Sequence, residues 1–412
     1  MRKLGGIIGL VLVIFVSRAR AQMRFDFVME PGRDKTTIPF ELLSNLMVIE
    51  VTLNDQLPVK FVFDSGVRTP ILTDKYLSDI IRVSYNREVE IFSAGAQGKA
   101  IAYVASGVAI SVPGVRAENQ DIYVLKEDFL GLSEVLGEKV HGLIGYDFFK
   151  NFVVEVDYDD QEITLTRPEA FKPKAFATRV PLSVVDSKAY ITADAVLPKQ
   201  GAKQISLLID TGASHALWLD PPADSTQDAL PERVLETAVG RALSGEIRGV
   251  IGRVPQLTID KFEFSSVLTS FPYRSRFLEV VKGTGRDGSI GAEVLRRFRV
   301  TFDYQNGALY LERASDYRDP FHYNMAGLSL IRDLKTAIPS YVVERVDKDS
   351  PAEAAGIQPG DRVLRFNGVQ QEDLSLDHVN YILKAREGKR IRLTIERDGN
   401  IIKKEFRLKS LI

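Results

Sequence analysis

The sequence predicts a mainly β protein with a duplicated, bilobal fold, followed by a small α+β domain. Three landmarks recur at one spacing. The triplet Asp64-Ser65-Gly66 returns 146 residues later as Asp210-Thr211-Gly212, and a glycine-flanked apolar turn at 142–145 returns at 288–291. The hairpin that closes the first unit also returns, near residue 298. One offset that fits three separated landmarks indicates an internal duplication.

Each triplet follows an apolar run that ends on a carboxylate. Phe61-Val62-Phe63 precedes Asp64, and Leu207-Leu208-Ile209 precedes Asp210. Such runs predict buried strands. An ionisable group at the end of a buried strand is costly unless it is hydrogen-bonded, paired or used. The hydroxyl residue and the glycine that follow supply donors and a sharp turn. We therefore predict that Asp64 and Asp210 act as a pair.

The same pattern divides the chain into segments. Residues 327–412 begin a separate unit after a polar, aromatic stretch. The predicted segments are a signal peptide at 1–21, a lead-in at 22–35, lobe 1 at 36–170, lobe 2 at 171–315, a linker at 316–326 and the C-terminal domain at 327–412.

The N-terminus predicts export. A basic start, Met1-Arg2-Lys3, precedes an apolar core at 4–16 and the small-residue cleavage pattern Ala19-Arg20-Ala21. That core is too short to span a bilayer, so we expect a cleaved Sec signal peptide rather than an uncleaved anchor. The expected location is periplasmic or extracellular, with no integral membrane segment after cleavage.

Composition limits the partners and the chemistry. The segment 1–21 carries four of the 54 basic residues, so the remainder has 50 basic residues against 55 acidic ones. This negative balance argues against nucleic acid as a partner. The chain has no cysteine, which excludes disulfides, a thiol nucleophile and thiolate metal ligands. The four histidines lack metal-ligand spacing, so we expect neither a metal nor another cofactor. An exported chain without disulfides is typical of bacteria.

A hairpin with a small, glycine-rich tip is predicted in lobe 1. Two strand-like stretches flank Ser93–Gly98, and residues 238–245 repeat the small-residue tip in lobe 2. We assign Gly95 and Gly98 to the opening of a flap, with an ordinary hairpin turn as the alternative.

Across residues 36–315 these motifs resemble the retropepsin- and pepsin-type aspartic proteases. The resemblance implies two lobes related by a pseudo-two-fold axis, with both aspartates at the lobe interface beneath a flap. Two carboxylates at one site share a proton, and the ionised member can activate a water molecule. The residues that the resemblance assigns to catalysis and its support are Asp64, Asp210, Ser65, Gly66, Thr211 and Gly212.

The first motif departs from the second directly after its glycine. Val67 and Arg68 stand where lobe 2 has Ala213 and Ser214. A salt bridge from Arg68 would lower the pKa of Asp64, and a decayed site would keep the fold without the rate. Because neither motif has a hydroxyl straight after the glycine, unlike pepsin, we expect a mildly acidic pH optimum.

The C-terminal domain resembles a bacterial PDZ domain. The resemblance rests on Gly327-Leu328-Ser329-Leu330, on the stretch 350–361 and on an amphipathic helix at 376–386. In that family, the Gly-Leu-x-Leu loop caps a peptide carboxylate with backbone N–H groups while the peptide adds a strand to the sheet. The residues this implies for peptide binding are Gly327, Leu328, Ser329, Leu330 and Leu376.

The predicted function is an exported, cofactor-free aspartic endopeptidase whose PDZ domain recruits peptide or protein substrates, for example through a free C-terminus. A second hypothesis is a non-catalytic peptide-binding scaffold with a degenerate protease fold. A third is an envelope-associated regulator that cleaves a single partner. Asparagine at position 64 or 210 separates the first two, because a scaffold keeps its function in both variants.

Overall fold

A computed structural model of the chain describes residues 26–93, 95, 98–220, 230–273, 285–334 and 340–412. The predicted signal peptide and the first part of the lead-in lie outside the described residues. The described chain is mainly β, as the sequence predicts. Among its helices, none combines the length and the apolar character needed to cross a membrane.

Lobe 1 is a twisted, largely antiparallel sheet. Its elements are β1 (Val28–Met29), β2 (Lys35–Pro39), β3 (Glu41–Leu43), β4 (Leu46–Leu53), β5 (Leu57–Asp64), β6 (Ile71–Leu72), α1 (Lys75–Ile80), β7 (Tyr85–Phe92), β8 (Lys99–Val112), β9 (Val115–Leu125), α2 (Leu132–Leu136), β10 (Gly142–Gly145), α3 (Tyr146–Asn151), β11 (Val153–Asp157) and β12 (Glu162–Thr166). The strand order is β1-β9-β6-β10-β5-β4-β8-β7, with β3 beside β4. The pair β5 and β10 is parallel.

Lobe 2 repeats this arrangement. Its elements are β13 (Thr178–Pro181), β14 (Ser183–Val185), β15 (Lys188–Leu197), β16 (Gly201–Ile209), β17 (Leu217–Leu219), β18 (Leu235–Ala242), β19 (Gly245–Ile259), β20 (Phe262–Pro272), β21 (Gly288–Ile290), α4 (Ala292–Leu295), β22 (Phe298–Asp303) and β23 (Ala308–Arg313). The strand order is β14-β15-β16-β21-β17-β20-β19-β18. The parallel pair β16 and β21 corresponds to β5 and β10.

A third sheet joins the two lobes. Its order is β13-β23-β22-β11-β12-β2, so the closing strands of both copies lie side by side. Val154 of β11 stands opposite Phe302 of β22. Phe149 of lobe 1 packs edge-on against Phe302 with ring centroids 5.0 Å apart. This shared apolar joint fixes the two copies relative to each other.

The C-terminal domain is a small sheet with two helices. Its elements are β24 (Leu328–Asp333), β25 (Ser340–Val346), α5 (Pro351–Ala354), β26 (Arg362–Phe366), β27 (Val369–Gln370), α6 (Leu376–Leu383), β28 (Arg390–Arg397) and β29 (Asn400–Arg407). The order is β24-β25-β26-β28-β29, with β27 beside β26. Ser350 and Ser375 accept hydrogen bonds from the first turns of α5 and α6, which fixes where each helix begins.

The C-terminal domain packs directly on lobe 2. The segment 316–326 carries Phe321, Tyr323 and Met325, and all three side chains are buried. One apolar cluster combines Leu328 and other core residues of the C-terminal domain with Trp218 of lobe 2. Removing the domain would therefore expose an apolar face of lobe 2.

Candidate active site

The two predicted aspartates lie at equivalent strand ends. Asp64 is the last residue of β5, and Asp210 directly follows β16. Gly145 stands opposite Asp64 on the parallel neighbour β10. A Cβ on Gly145 would lie 1.8 Å from the carbonyl oxygen of Asp64, so only glycine permits this approach. Both aspartates are fully buried.

The residues after the aspartates bind the lobes to each other. Ser65 N donates to Thr211 Oγ1 at 2.9 Å, and Thr211 N donates to Ser65 Oγ at 3.1 Å. Each hydroxyl also donates to a carbonyl of the opposite lobe: Ser65 Oγ to Ile209 O at 3.1 Å, and Thr211 Oγ1 to Phe63 O at 3.0 Å. These four buried bonds form a nearly symmetric bridge that holds both turns in register.

The carboxyl groups meet at this bridge. Gly66 N donates to Asp64 Oδ1 at 2.7 Å, and Gly212 N donates to Asp210 Oδ1 at 3.1 Å. A Cβ on Gly212 would lie 2.1 Å from Asp64 Cγ, so the lobe 1 carboxyl rests on the lobe 2 turn. The two Oδ2 atoms are buried and have no hydrogen-bond partner in the described part of the chain. All six residues predicted for catalysis and its support therefore come together.

Burial raises the pKa of both carboxyls. The pKa of Asp64 rises to about 7, although the Gly66 N–H and the charge of Lys188 oppose the rise. Burial and the negative charge of Asp64 raise the pKa of Asp210 well above its usual value. Two such groups at one site cannot both ionise easily, so the pair retains a proton at neutral pH. The site thus offers a proton donor and a proton acceptor together.

Two hairpin tips, one from each lobe, meet near the pair. Ser244 N in the β18–β19 tip donates to Ser93 Oγ in the β7–β8 tip at 3.3 Å. A Cβ on Gly95 would lie 2.4 Å from Gly245 N. Contact between the tips therefore already requires glycine at position 95. The predicted role of Gly95 in flap opening stays a prediction. Gly98 has a φ of +71°, which suits a turn. Tip residues 94, 96 and 97 lie outside the described residues.

The lobe 2 tip reaches the first motif. Leu243 belongs to the apolar cluster that contains Val67, three residues after Asp64. Val67, the bulky residue after the first Asp-Ser-Gly triplet, is thus fully buried in a cluster that includes a residue of the opposite tip. Arg68 is exposed and is not among the charges that shift the pKa of Asp64. The expected lowering of that pKa by Arg68 is absent, because its side chain faces solvent.

Two parts of the chain match known protein families. Residues 49–148 match the aspartyl protease family. That range includes Asp64 and the glycine turn of lobe 1. Residues 342–397 match the PDZ domain family. The chain therefore carries an aspartyl protease-like domain and a C-terminal PDZ domain, which confirms the resemblance predicted from the sequence.

One curated relative is the "Probable CtpA-like serine protease" of Staphylococcus haemolyticus (strain JCSC1435). It is 42% identical over 62 residues, which cover 15% of this chain and 12% of the relative. A match of 62 residues cannot include both Asp64 and Asp210, because 146 residues separate them. The comparisons support a protease with a PDZ domain and leave its catalytic type to be argued from the site.

Sequence reasoning missed two buried cations of lobe 2. Lys188 is 4% exposed and Arg286 is 5% exposed, and the charges of both act on Asp210. A side-by-side comparison of the two copies could have found Arg286, because its equivalent in lobe 1 is the apolar Val140. His215, three residues after Gly212, is buried, and its ring centroid lies 5.7 Å from that of the Trp218 ring. Burial lowers the pKa of His215 to about 3, so it is neutral.

The predicted peptide-binding edge of the PDZ domain faces lobe 1. β24 is the outer strand of its sheet, and α2 of lobe 1 lies against it. A Cβ on Gly137, the residue after α2, would lie 3.2 Å from Leu376 Cδ1. Arg332 of β24 donates to the carbonyl of Gly137 and pairs with Glu138 at 3.5 Å. The segment 132–138 thus covers this end of the groove between β24 and α6.

The remaining predicted groove residues form the start of β24. Gly327 has a φ of +64°, and a Cβ there would lie 2.2 Å from Ser350 Cβ. Leu328 and Leu330 are buried, whereas Ser329 is half-buried. In the described ranges, no cluster of His, Asp and Glu side chains could hold a metal ion.

Proposed function

We propose that this chain is an aspartic endopeptidase in which Asp64 and Asp210 activate one water molecule. The observation that carries the proposal is the meeting of two buried carboxyls whose Oδ2 atoms lack partners in the described chain. Each carboxyl keeps its Oδ1 atom bound to a backbone N–H, which orients the free oxygen. The Ser65–Thr211 bridge holds the two turns, so it positions the pair without touching the reacting atoms.

In the proposed reaction, the ionised member of the pair takes a proton from the water as the water attacks the peptide carbonyl. The protonated member donates a hydrogen bond to the carbonyl oxygen and stabilises the charge that develops there. The proton taken from water then passes to the departing amine. No covalent intermediate with the protein forms, because the nucleophile is water.

The pH dependence follows from the raised pKa of each carboxyl. The reactive pair holds one proton, and a pKa of about 7 for Asp64 implies that the rate falls above neutrality. We expect a mildly acidic optimum, and a rate that peaks at strongly acid pH would contradict it. The free energy of unfolding, like the rate, falls as pH rises. An unfolded aspartate has a pKa of about 3.9, so the folded chain binds more protons than the unfolded chain between pH 4 and 7. This contribution to stability is therefore lost as pH rises through that window.

The test is cleavage of a proteome-derived peptide library across pH, read by mass spectrometry. The control is the double variant Asp64→Asn, Asp210→Asn, which preserves shape and removes the acid–base pair. We expect cleavage by the natural chain only, and the double variant should lose the fall in Tm between pH 4 and 7. Peptide binding that is unchanged in the double variant, with no cleavage by either protein, would favour the non-catalytic scaffold.

We also propose that the PDZ domain recruits protein substrates. A bound chain would be held near the cleft and its local concentration raised. Since the segment 132–138 covers one end of the groove, a ligand must displace it before adding to β24. Deleting residues 326–412 is a poor test, because lobe 2 shares an apolar cluster with the domain. Point variants of residues in the groove test recruitment without exposing that cluster.

We further propose that the protein is exported. The support is the basic start, the apolar core at 4–16 and the Ala19-Arg20-Ala21 pattern of the sequence. Cell fractionation with N-terminal sequencing tests this. We expect a chain that starts at Gln22 in the periplasm or medium, and a stable cytoplasmic chain that keeps Met1 would contradict export.

A further inference from the structure

Lobe 2 buries a guanidinium whose charge acts on Asp210, and most of its donors are unused among the described residues. The side chain of Arg286 is 1% exposed, and its Nε donates to Asp220 Oδ2 at 3.0 Å. The other oxygen of Asp220 accepts from Trp218 Nε1 at 2.9 Å. Nη1 and Nη2 of Arg286 are buried and have no partner among the described residues. A buried donor without an acceptor costs about 1–3 kcal/mol, so this geometry suits an acceptor that arrives with a ligand.

A second buried cation lies close to the same place. Lys188 is the first residue of β15 and is 4% exposed. Burial and the positive charge of Arg286 lower the pKa of Lys188 to about 8, against the opposing charges of Asp186, Asp210 and Asp64. Lys188 therefore remains protonated at neutral and acidic pH. Tyr190 stands opposite Leu208 in the antiparallel pair of β15 and β16, so Lys188, two residues earlier, stands level with Asp210. The charges of Lys188 and Arg286 both act on Asp210.

The fold itself does not need these cations, as lobe 1 shows. Leu46 opens β4 opposite Leu43 just as Lys188 opens β15 opposite Val185. The backbone N–H after position 140 donates to the neighbouring strand at 2.8 Å, as does the one after Arg286, so Val140 is the counterpart of Arg286. Leu46 and Val140 belong to one buried apolar cluster. Lobe 1 thus has apolar side chains at the positions where lobe 2 buries Lys188 and Arg286.

We propose that Arg286 and Lys188 form a substrate subsite for the carboxylate of an aspartate or glutamate next to the scissile bond. The inference rests on the peptidase function proposed above and adds a substrate class to it. Nη1 and Nη2 of a guanidinium match the two oxygens of a carboxylate, and such bidentate pairs are strong and directional. We expect a substrate that reaches Asp210 when the hairpin tips part to reach the start of β15, where Lys188 stands level with Asp210.

The alternative is that the two cations only balance negative charge already present. The catalytic pair with one shared proton carries one negative charge, and Asp220 carries another. In that case the cations would set the pH profile and the cleaved sequences would show no acidic preference. The two hypotheses therefore differ in specificity.

The first experiment maps the residues that flank each cut in a proteome-derived peptide library. We expect aspartate and glutamate to be enriched at one position next to the scissile bond. Matched peptides that differ only as Glu against Gln at that position then give a ratio of kcat/KM values. The ratio should favour Glu by at least tenfold for the natural chain.

The second experiment gives lobe 2 the residues of lobe 1. Arg286→Val and Lys188→Leu should each reduce the Glu/Gln ratio, and the double variant should bring it close to one. Because Arg286→Val leaves Asp220 buried without its partner, Arg286→Val with Asp220→Thr is made as well; Thr73 is the lobe 1 counterpart. Arg286→Lys should keep part of the preference. Arg179→Val, at an exposed arginine of the same lobe, is the control and should keep the full ratio.

The outcomes are separable from those of the proposed function. Cleavage without acidic enrichment overturns the subsite and leaves the peptidase intact. A pH–rate profile that shifts in Arg286→Val would then assign the cations to charge balance. If the natural chain cleaves nothing, fluorescence anisotropy measures the binding of peptide pairs that differ only as Glu against Gln, with the exchanged residue placed at each position in turn. A Glu preference lost in Arg286→Val then supports the subsite alone, and equal binding of both peptides overturns it.

Discussion

The hairpin tips of the two lobes share a backbone plan but differ in what holds them. In lobe 2, Arg241 of β18 forms a buried ion pair with Glu344 of the PDZ domain, and Thr237 donates to Asp347 at 3.0 Å. β18 is accordingly buried along most of its length. Its lobe 1 counterpart, β7, is mostly exposed. Movement of the lobe 1 tip therefore breaks fewer buried contacts than movement of the lobe 2 tip.

This difference shows which parts of a duplicated protein stay alike. The Asp-Ser-Gly and Asp-Thr-Gly turns are alike because each must complete the other across the lobe interface. The tips and the pocket walls differ between the lobes, because neither has to match its counterpart across the lobe interface. We expect the lobe 1 tip to open for substrate while the lobe 2 tip and the PDZ domain stay together.

The largest expected effect tests the symmetric part. Asp64→Asn and Asp210→Asn should each reduce kcat/KM on a cleaved peptide by about 10²–10⁴-fold, since either change removes the shared proton chemistry. Steady-state assays measure this, with Tm as the check on folding. A variant of one lobe that keeps most of the rate would show that the aspartates do not act as a pair.

The next effect tests the anchoring of the lobe 2 tip. Glu344→Gln removes the negative charge of the buried Arg241–Glu344 pair, and loss of one partner of a buried pair costs about 3–5 kcal/mol. We expect the free energy of unfolding to fall by about 3 kcal/mol in urea titrations. The control is Glu405→Gln, which breaks exposed pairs with Arg390 and Arg392 and should cost about 0–1 kcal/mol for each pair. Equal losses in the two variants would mean that the buried pair does not anchor the tip.

A smaller effect concerns the contact between the tips. Gly95→Ala would place a methyl group 2.4 Å from Gly245 N, so the tips must separate. Overpacking of this kind costs about 1–3 kcal/mol, and we expect KM for peptides to change by about tenfold. Gly201→Ala is the control for an added methyl group without a contact, because no described atom lies within 4 Å of its Cβ position. Its φ of +76° adds a backbone strain that Gly95→Ala does not have, so this control sets an upper bound on effects unrelated to tip contact. If Gly95→Ala leaves KM at its natural value, the tips do not act as a closed cover.

The smallest effect concerns the PDZ groove. Arg332→Ala removes the link from β24 to Gly137 and Glu138. An exposed ion pair contributes about 0–1 kcal/mol, so binding of C-terminal hexapeptides to the full chain should tighten by about two- to fivefold. Arg392→Ala, which breaks an exposed pair on β28, is the control. Weaker binding in Arg332→Ala alone would assign Arg332 to the ligand instead of to the covering segment.

Much of the fold followed from the sequence because strand-end motifs are local signals. The fixed offset of 146 placed both aspartates, both glycine turns and both closing hairpins correctly. The same offset fails for Lys188. Leu53 pairs with Leu57 at the end of the lobe 1 hairpin, whereas the lobe 2 hairpin continues to Leu197 and Gly201, two residue pairs further. Register therefore matches Lys188 with Leu46, and counting along the sequence misses it.

The sequence by itself determined the paired carboxylates, because an aspartate at the end of an apolar strand must be hydrogen-bonded or paired. The Ser-Gly or Thr-Gly that follows supplies the donors. Only the tertiary structure decided the meeting of Gly95 with Gly245, the covering of the PDZ groove by lobe 1, and the burial of Arg286 Nη1 and Nη2 without acceptors among the described residues. These features depend on contacts between residues far apart in the chain. Their energy comes from burial and close packing, which no local pattern of residue types records.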